Sequence, residues 1–87
     1  MAALLADIER LPEGYAEGLY QGVRYGITKT TFTQGRSFKV YARALNGTDF
    51  ISLNYYRTAR TELLKPCEMP EAKVVAFLQG VVVRPAQ

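Results

Sequence analysis

Two alternating stretches flank an Asn-Gly pair, and this pattern most constrains the fold. Residues 37–45 and 48–57 each alternate apolar and polar side chains. Asn46-Gly47 favours a two-residue type I′ turn, which joins antiparallel strands. Counting outward from the turn predicts these pairs: Leu45–Thr48 beside it, Ala42–Ile51, Val40–Leu53 and Phe38–Tyr55 on an apolar face, and Arg43–Phe50, Tyr41–Ser52, Lys39–Asn54 and Ser37–Tyr56 on a largely polar face. A one-residue slip would mix the two sets, so the register is well specified.

A short helix is predicted on each side of the strands. Residues 2–11 place Leu4, Ile8 and Leu11 on one helical face, and Pro12 ends that helix. Pro70 is predicted to open a second helix at its first position, which needs no N–H donor. Its apolar stripe comprises Val74, Phe77, Leu78 and Val81. This helix either ends at Gly80, leaving 81–83 extended, or continues through it.

Residues 18–32 predict one strand with an interruption. The alternation that includes Ile27 changes parity before Phe32, and a bulge between Thr28 and Thr31 would return Phe32 to the inner face. The glycines in this strand would allow bends. Gln34-Gly35 is a turn into the next strand. Residues 62–69 form either a loop or a fourth strand, which Pro66 would confine to an edge.

These elements predict a single α+β domain over residues 1–87. The sheet is a two-layer, antiparallel meander of three or four strands, with the N-terminal and C-terminal helices packed on one face, in the order α-β-β-β-(β)-α. A chain of 87 residues that is 48% hydrophobic can bury a core of modest stability.

Composition narrows the functional classes. No apolar run approaches the ~20 residues of a membrane span, and the first residues lack the basic segment of a signal peptide. The single cysteine fits a reducing compartment, so the protein is expected to be cytoplasmic and not membrane-bound. The net charge of +3 permits contact with nucleic acid without requiring it.

The polar face of the hairpin is the candidate binding surface. It combines cations and aromatic rings, joined by Arg24 from the preceding strand. Its predicted site residues are Arg24, Lys39, Tyr41, Arg43, Phe50, Asn54 and Tyr56. Three exposed rings exceed what solubility requires.

Three interpretations of this face stay open. Open antiparallel sheets ordinarily have one solvated face rich in Tyr, Thr, Lys and Arg. The same composition is typical of a protein interface, either with another protein or with a second copy. Nucleic acid is the alternative ligand, with Arg24, Lys39, Arg43 and Arg57 on phosphates, the rings stacked on bases and Asn54 on a base edge.

The sequence predicts no enzyme, cofactor or metal site. There is no histidine to act as a base or ligand, and the acidic residues have no spacing typical of a catalytic pair or a metal site. Cys67 lies close before the second helix with Lys65 nearby, which would favour a thiolate. Without a resolving cysteine, thiol chemistry at Cys67 is only a remote alternative to a packing role. Arg57 and Arg60 are expected in a solvated turn, with a phosphate contact as the alternative.

The stretches LNGTDFISLNYYRT and LKPCEMPEAKVVAFLQG resemble a group of short bacterial proteins of unknown function. The similarity runs through most of the chain. Some members carry a peptide methionine sulfoxide reductase label. Those reductases have a Gly-Cys-Phe-type nucleophile motif, or zinc-binding cysteine pairs with a catalytic cysteine. Cys67 lies in Pro-Cys-Glu-Met and matches neither, so the sequence does not support that label. The group has no established role, and the resemblance therefore implies no activity or ligand.

Overall fold

One antiparallel sheet organises the chain in a computed structural model that describes residues 2–47 and 49–84. The elements follow in the order α1 (Ala2–Glu9), β1 (Gly14–Tyr20), β2 (Val23–Phe32), β3 (Ser37–Ala44), β4 (Phe50–Arg57), β5 (Glu62–Pro66), α2 (Glu71–Gly80) and β6 (Val82–Val83). The strands are arranged β5-β4-β3-β2-β1-β6. The α+β class with one antiparallel sheet and two helices is therefore confirmed. The predicted three or four strands are wrong, since the described residues form six and α2 is followed by a strand.

The core lies between the sheet and the two helices. The inward side chains of the strands meet Leu4, Ile8 and Leu11 from the first helical segment and Val74, Phe77 and Leu78 from α2, all of them buried. The guanidinium of Arg10 also joins the helices, since its Nη2 donates to the carbonyl oxygens of Leu78 and Val81, 2.8 Å away in each case. These carbonyls at the end of α2 would otherwise lack a helical partner.

The predicted register of the central hairpin is confirmed. Ala42 lies opposite Ile51, Val40 opposite Leu53, and Arg43 opposite Phe50. Burial alternates along both strands as the two residue sets require. Because each apolar pair lies on the helix side, the polar pairs all lie on the other face.

The turn of this hairpin differs from the predicted one. The Gly47 N–H donates to the Ala44 carbonyl at 2.9 Å, so the turn spans Ala44–Gly47 and begins one residue before the predicted type I′ turn. The Ala44 N–H reaches the Asp49 carbonyl, also at 2.9 Å. The predicted Leu45–Thr48 pair lies outside the described residues. The predicted register is nevertheless correct, because it depends on the apolar pairs along the strands rather than on the turn.

Residues 14–32 form two strands, so the prediction of one interrupted strand was wrong. Gln21 and Gly22 both take positive φ angles, 52° and 77°. Tyr20 lies opposite Val23, so these two residues form the whole connection of a tight β1–β2 hairpin. Two consecutive positive φ angles are the signature of a type I′ turn.

The predicted bulge between Thr28 and Thr31 is also absent. The pairing of β2 with β3 runs without interruption from Tyr25–Ala44 to Phe32–Ser37. Phe32 therefore lies on the outer face, where it is 49% exposed. Lys29 faces inward on this strand and is buried. Its Nζ lies 3.3 Å from the Ile8 carbonyl oxygen and 5.6 Å from the centroid of the Phe38 ring. A carbonyl and a ring face thus accommodate a cation at the edge of the core.

Both edges of the sheet are short strands. Residues 62–66 form the predicted edge strand, which ends at Pro66 rather than Met69. At the other edge, Val82 pairs with Leu19. Helix α2 ends at Gly80, which was one of the two predicted alternatives. At its other end, Pro70 is the N-cap rather than the first helical residue.

Candidate binding interface

The outer face, meaning the sheet surface turned away from α1 and α2, holds all seven predicted site residues. Arg24 lies on β2, Lys39, Tyr41 and Arg43 lie on β3, and Phe50, Asn54 and Tyr56 lie on β4. Cross-strand pairing joins Arg43 to Phe50 and Lys39 to Asn54. The predicted register of the central hairpin places the six residues of β3 and β4 on one face, and Arg24 joins them from β2.

Exposed apolar side chains concentrate on this outer face. Among the described residues, nine large hydrophobic side chains are exposed, and all but Leu45 lie on the outer face. The eight on the outer face are Tyr15, Leu19, Phe32, Tyr41, Phe50, Tyr56, Leu63 and Val82. Scattered exposed apolar residues are normal on a folded domain, whereas contiguous exposed apolar patches are typical of interaction sites.

Five of these eight residues were not predicted as part of the site. Tyr15 and Val82 lie on strands that the sequence did not reveal, and Phe32 was expected to face inward. Leu19 and Leu63 also lie beyond the predicted central hairpin. For Phe32 a signal was present, because its parity relative to Ile27 places it outward once no bulge is assumed.

An aromatic pair forms the centre of the face. The rings of Tyr41 and Phe50 have centroids 6.2 Å apart and an interplanar angle of 32°. Lys39 and Arg43 lie two positions before and after Tyr41 on the same strand, so their side chains emerge roughly 7 Å from it. The middle strand therefore presents cation, ring and cation in a line.

Tyr15 extends this surface over a glycine. A Cβ atom added to Gly26 would lie 2.6 Å from the Tyr15 hydroxyl oxygen and 3.0 Å from its Cε1. The Tyr15 ring thus covers Gly26 from the neighbouring strand, and any side chain at that position would displace it. Gly26 permits a close contact here, which is a different role from the predicted strand bending.

The outer face is positively charged. It carries Arg24, Lys39, Arg43 and Lys65 against the single described carboxylate of Glu17. Glu17 Oε1 lies 2.7 Å from Arg24 Nη2 and neutralises that arginine. Within the described part of the chain, the other three cations form no ion pair or side-chain hydrogen bond. They are therefore available to an anionic ligand.

Two carboxylates near the sheet bind groups other than the cations of the outer face. Asp49 Oδ1 accepts from Lys73 Nζ of α2 at 2.7 Å and from the Phe50 N–H at 2.9 Å. The hydrogen bond from Lys73 is the main reason that the pKa of Asp49 is lowered. Glu13 accepts from the hydroxyl and the N–H of Thr31, and these bonds lower its pKa. Both groups therefore stay ionised at neutral pH without reducing the charge of Lys39 or Arg43 by direct pairing.

Cys67 contributes to the same face as a hydrogen-bond acceptor. Its backbone N–H donates to the Ser52 carbonyl at 2.9 Å, and its Sγ accepts from Asn54 Nδ2 at 3.6 Å. The thiol is partly buried. This hydrogen bond orients the Asn54 amide on the outer face.

The described residues contain no group of three or more His, Cys, Asp or Glu side chains placed to hold a metal ion. None of their helices is both long enough and apolar enough to cross a membrane.

Tyr55 carries a hydrogen bond at the inner side of the sheet. Its hydroxyl donates to Glu62 Oε1 at 2.5 Å, and the side chain is fully buried. Burial first, and then the Glu62 carboxylate, raise the pKa of Tyr55 to about 12. The pair ties the edge strand β5 to the core.

This raised pKa predicts alkaline sensitivity. An unfolded tyrosine loses its proton near pH 10, so between pH 10 and about 12 the folded chain binds more protons than the unfolded chain. The stabilisation is present below pH 10 and is lost as the pH rises, by about 2–3 kcal/mol in all. Urea denaturation at pH 9 and pH 12 should show a smaller fall in the free energy of unfolding for Tyr55→Phe than for the wild type. Equal falls in the two proteins would contradict this assignment, since the other tyrosines titrate in both.

The chain matches no protein-family model, and searches of curated proteins and of solved structures returned no match. The resemblance to short bacterial proteins therefore stays a prediction.

Proposed function

We propose that this protein is a non-enzymatic binding module that holds a protein partner on its outer face. The observation that carries the proposal is the placement of eight of the nine exposed large hydrophobic side chains on that one face. Buried against a partner, tyrosine, phenylalanine and arginine supply most of the binding energy in protein interfaces.

The dimensions of the molecule suit such an interface. A standard interface buries about 800 Å² on each partner, equivalent to a square of roughly 28 Å on each side. The molecule measures 38 × 30 × 18 Å, so its broad faces are large enough. The helices already occupy one of the two broad faces, which leaves the outer face for a partner.

The charge of the face favours a partner that carries acidic groups. In a face-to-face dimer, the unpaired Lys39, Arg43 and Lys65 would approach the same cations of the second copy. Like charges that meet across an interface oppose association. A different protein, with carboxylates around an apolar centre, would complement both the rings and the cations. Self-association is therefore the less favoured form of the proposal.

Single-stranded nucleic acid is the second candidate. The observation that favours it is the line of Lys39, Tyr41 and Arg43, with Phe50 packed beside Tyr41. Bases stack on exposed rings for about 1–3 kcal/mol each, and flanking cations neutralise phosphates. This candidate requires steep salt dependence, which a largely apolar protein interface does not.

Paired variants test the proposal. Tyr41→Glu and Phe50→Glu place a carboxylate in the aromatic centre, whereas Gln79→Glu adds the same charge to an exposed position of α2. In affinity capture from cell extract, we expect the wild type and Gln79→Glu to retain one stoichiometric protein. Both outer-face variants should bind that protein, once purified, about 100-fold more weakly, as loss of a central anchor implies. All variants should keep the wild-type circular dichroism spectrum.

Amide NMR spectra separate the alternatives. Recorded at two protein concentrations and with a short single-stranded or duplex DNA at low and moderate salt, they show which ligand reaches the outer face. Shifts around Lys39, Tyr41 and Arg43 that DNA produces, and that salt or Arg43→Glu abolishes, would replace the protein partner with nucleic acid. Shifts that depend on concentration would replace it with a second copy. Equal retention of the captured protein by Tyr41→Glu would refute the use of this face.

A further inference from the structure

Three arginines lie on neighbouring segments at one end of the sheet, and Arg57 lies between the other two. Arg36 ends the β2–β3 connection, Arg57 is the last residue of β4, and Arg60 lies in the turn before β5. The Arg57 N–H donates to the Arg36 carbonyl at 2.8 Å, so these two residues are direct cross-strand neighbours. Arg57 and Arg60 line a cleft of about 430 Å³, and Arg36 and Arg57 line an adjoining one of about 450 Å³.

No described carboxylate neutralises this cluster. The three ion pairs of the described residues lie elsewhere, at Asp7, Glu17 and Asp49. Glu62 lies opposite Arg57 on β5 and lines the first cleft, yet its carboxylate accepts the hydroxyl of Tyr55. Like charges directly opposite each other on paired strands repel. An anion bound between Arg36 and Arg57 would remove that repulsion.

The arginines are supported by fixed backbone. Arg57 Nε donates to the Gly35 carbonyl at 3.1 Å, which orients its guanidinium toward the β2–β3 connection. In the turn beside it, Thr58 Oγ1 accepts from the N–H groups of Arg60 and Thr61 at 3.3 and 3.1 Å. The Thr58 N–H also donates to the Thr61 carbonyl at 2.8 Å. These hydrogen bonds hold the backbone of Arg60 in a defined turn.

We propose that Arg36, Arg57 and Arg60 form an anion site for a phosphate group, either free phosphate or a phosphomonoester. A guanidinium presents parallel N–H donors that match two oxygens of a phosphate, and it is more weakly hydrated than an ammonium. A dianion with several acceptor oxygens can use three guanidiniums from two connections at once. This site lies at the end of the sheet and is independent of the outer face.

Phosphate titration followed by amide and arginine Nε–Hε NMR tests the site. Inorganic phosphate and glycerol 3-phosphate should each produce saturable shifts at residues 35–36 and 57–61, and at the Arg57 Nε–Hε signal. Sodium chloride at matched ionic strength should not. The ligand that saturates at the lower concentration distinguishes free phosphate from a phosphomonoester as the natural form.

Charge-neutral variants assign the shifts to the cluster. Arg36→Gln and Arg60→Gln should each weaken phosphate binding about tenfold, the effect of one charge-assisted contact. Arg84 follows the edge strand β6 on the opposite side of the sheet, where its N–H donates to the Glu17 carbonyl at 2.8 Å. Arg84→Gln removes the same charge there and should leave the phosphate affinity unchanged. Shifts that chloride reproduces, shifts that do not saturate, or wild-type phosphate affinity in both Arg36→Gln and Arg60→Gln would each overturn the proposal. None of these results bears on the outer-face variants, so the two proposals fail separately.

Discussion

Leu53→Asp will leave the chain largely unfolded at neutral pH, whereas Ser52→Asp will keep it folded. Leu53 has no exposed surface and lies opposite Val40 in the centre of the core face. The substitution removes a buried leucine side chain, which costs about 2–5 kcal/mol, and it buries an unpaired carboxylate, which costs several more. A domain of 87 residues has a free energy of unfolding of about 4–13 kcal/mol, so most of it would be lost.

Ser52→Asp provides a matched control for the register. Ser52 is the adjacent residue on β4 and points to the outer face, where an added carboxylate stays in water. We expect a change of at most about 1 kcal/mol, mainly from the poor strand propensity of aspartate. Circular dichroism and the dispersion of amide NMR signals report folding directly. A cooperative unfolding transition in Leu53→Asp close to that of the wild type would show that the two faces are assigned the wrong way round.

Phe77→Ala should lower the free energy of unfolding by about 3–5 kcal/mol. Phe77 is fully buried, and its ring meets those of Tyr20 and Tyr25 edge to face, with centroids 5.1 Å away in both cases. The substitution leaves a cavity and removes two aromatic contacts, which are favourable beyond the area they bury. The effect is large because this cluster joins α2 to the β1–β2 hairpin.

The same helix supplies the control for Phe77→Ala. Gln79 is exposed on α2, and Gln79→Ala should change the free energy of unfolding by no more than about 0.5 kcal/mol. Urea denaturation measures both variants, and an unchanged denaturant slope would show that the unfolded state is the same. A loss below about 1 kcal/mol for Phe77→Ala would mean that α2 does not pack on the sheet as described.

Sequence reasoning succeeded where local pattern and tertiary structure agree. The β3–β4 register was predictable because two alternating stretches flank Asn46-Gly47, even though the turn itself begins one residue earlier. The β1–β2 hairpin was missed because Gln21 occupies a positive φ that usually favours glycine or asparagine. Strand β6 is two residues long and depends on its pairing with β1, which no local pattern encodes.

The candidate interface was predictable to the same extent. Tyr41, Phe50 and Tyr56 follow from the register of the central hairpin, so the sequence located them correctly. Phe32 did not follow, because an apolar side chain ordinarily favours the core, and the bulge that would turn it inward does not form. The inward position went to Lys29, whose cation is accommodated by the Ile8 carbonyl and the Phe38 ring. The uninterrupted β2–β3 pairing therefore sets both orientations, and the Ile8 carbonyl provides a partner for the inward lysine.

The contacts of Arg10 have a consequence for the order of folding. Arg10 contacts Leu78 and Val81, which lie 68 and 71 positions further along the chain. The outer edge of β1 is likewise paired only when β6 is in place. Contacts of such long sequence separation form late, because the entropy of closing the intervening loop must first be overcome. During synthesis, α1 and the outer edge of β1 would stay without these partners until residues 78–83 leave the ribosome. A nascent chain stalled before that point should expose an unpaired edge of β1 that is prone to aggregation, so the emergence of residues 78–83 is the step that protects the sheet.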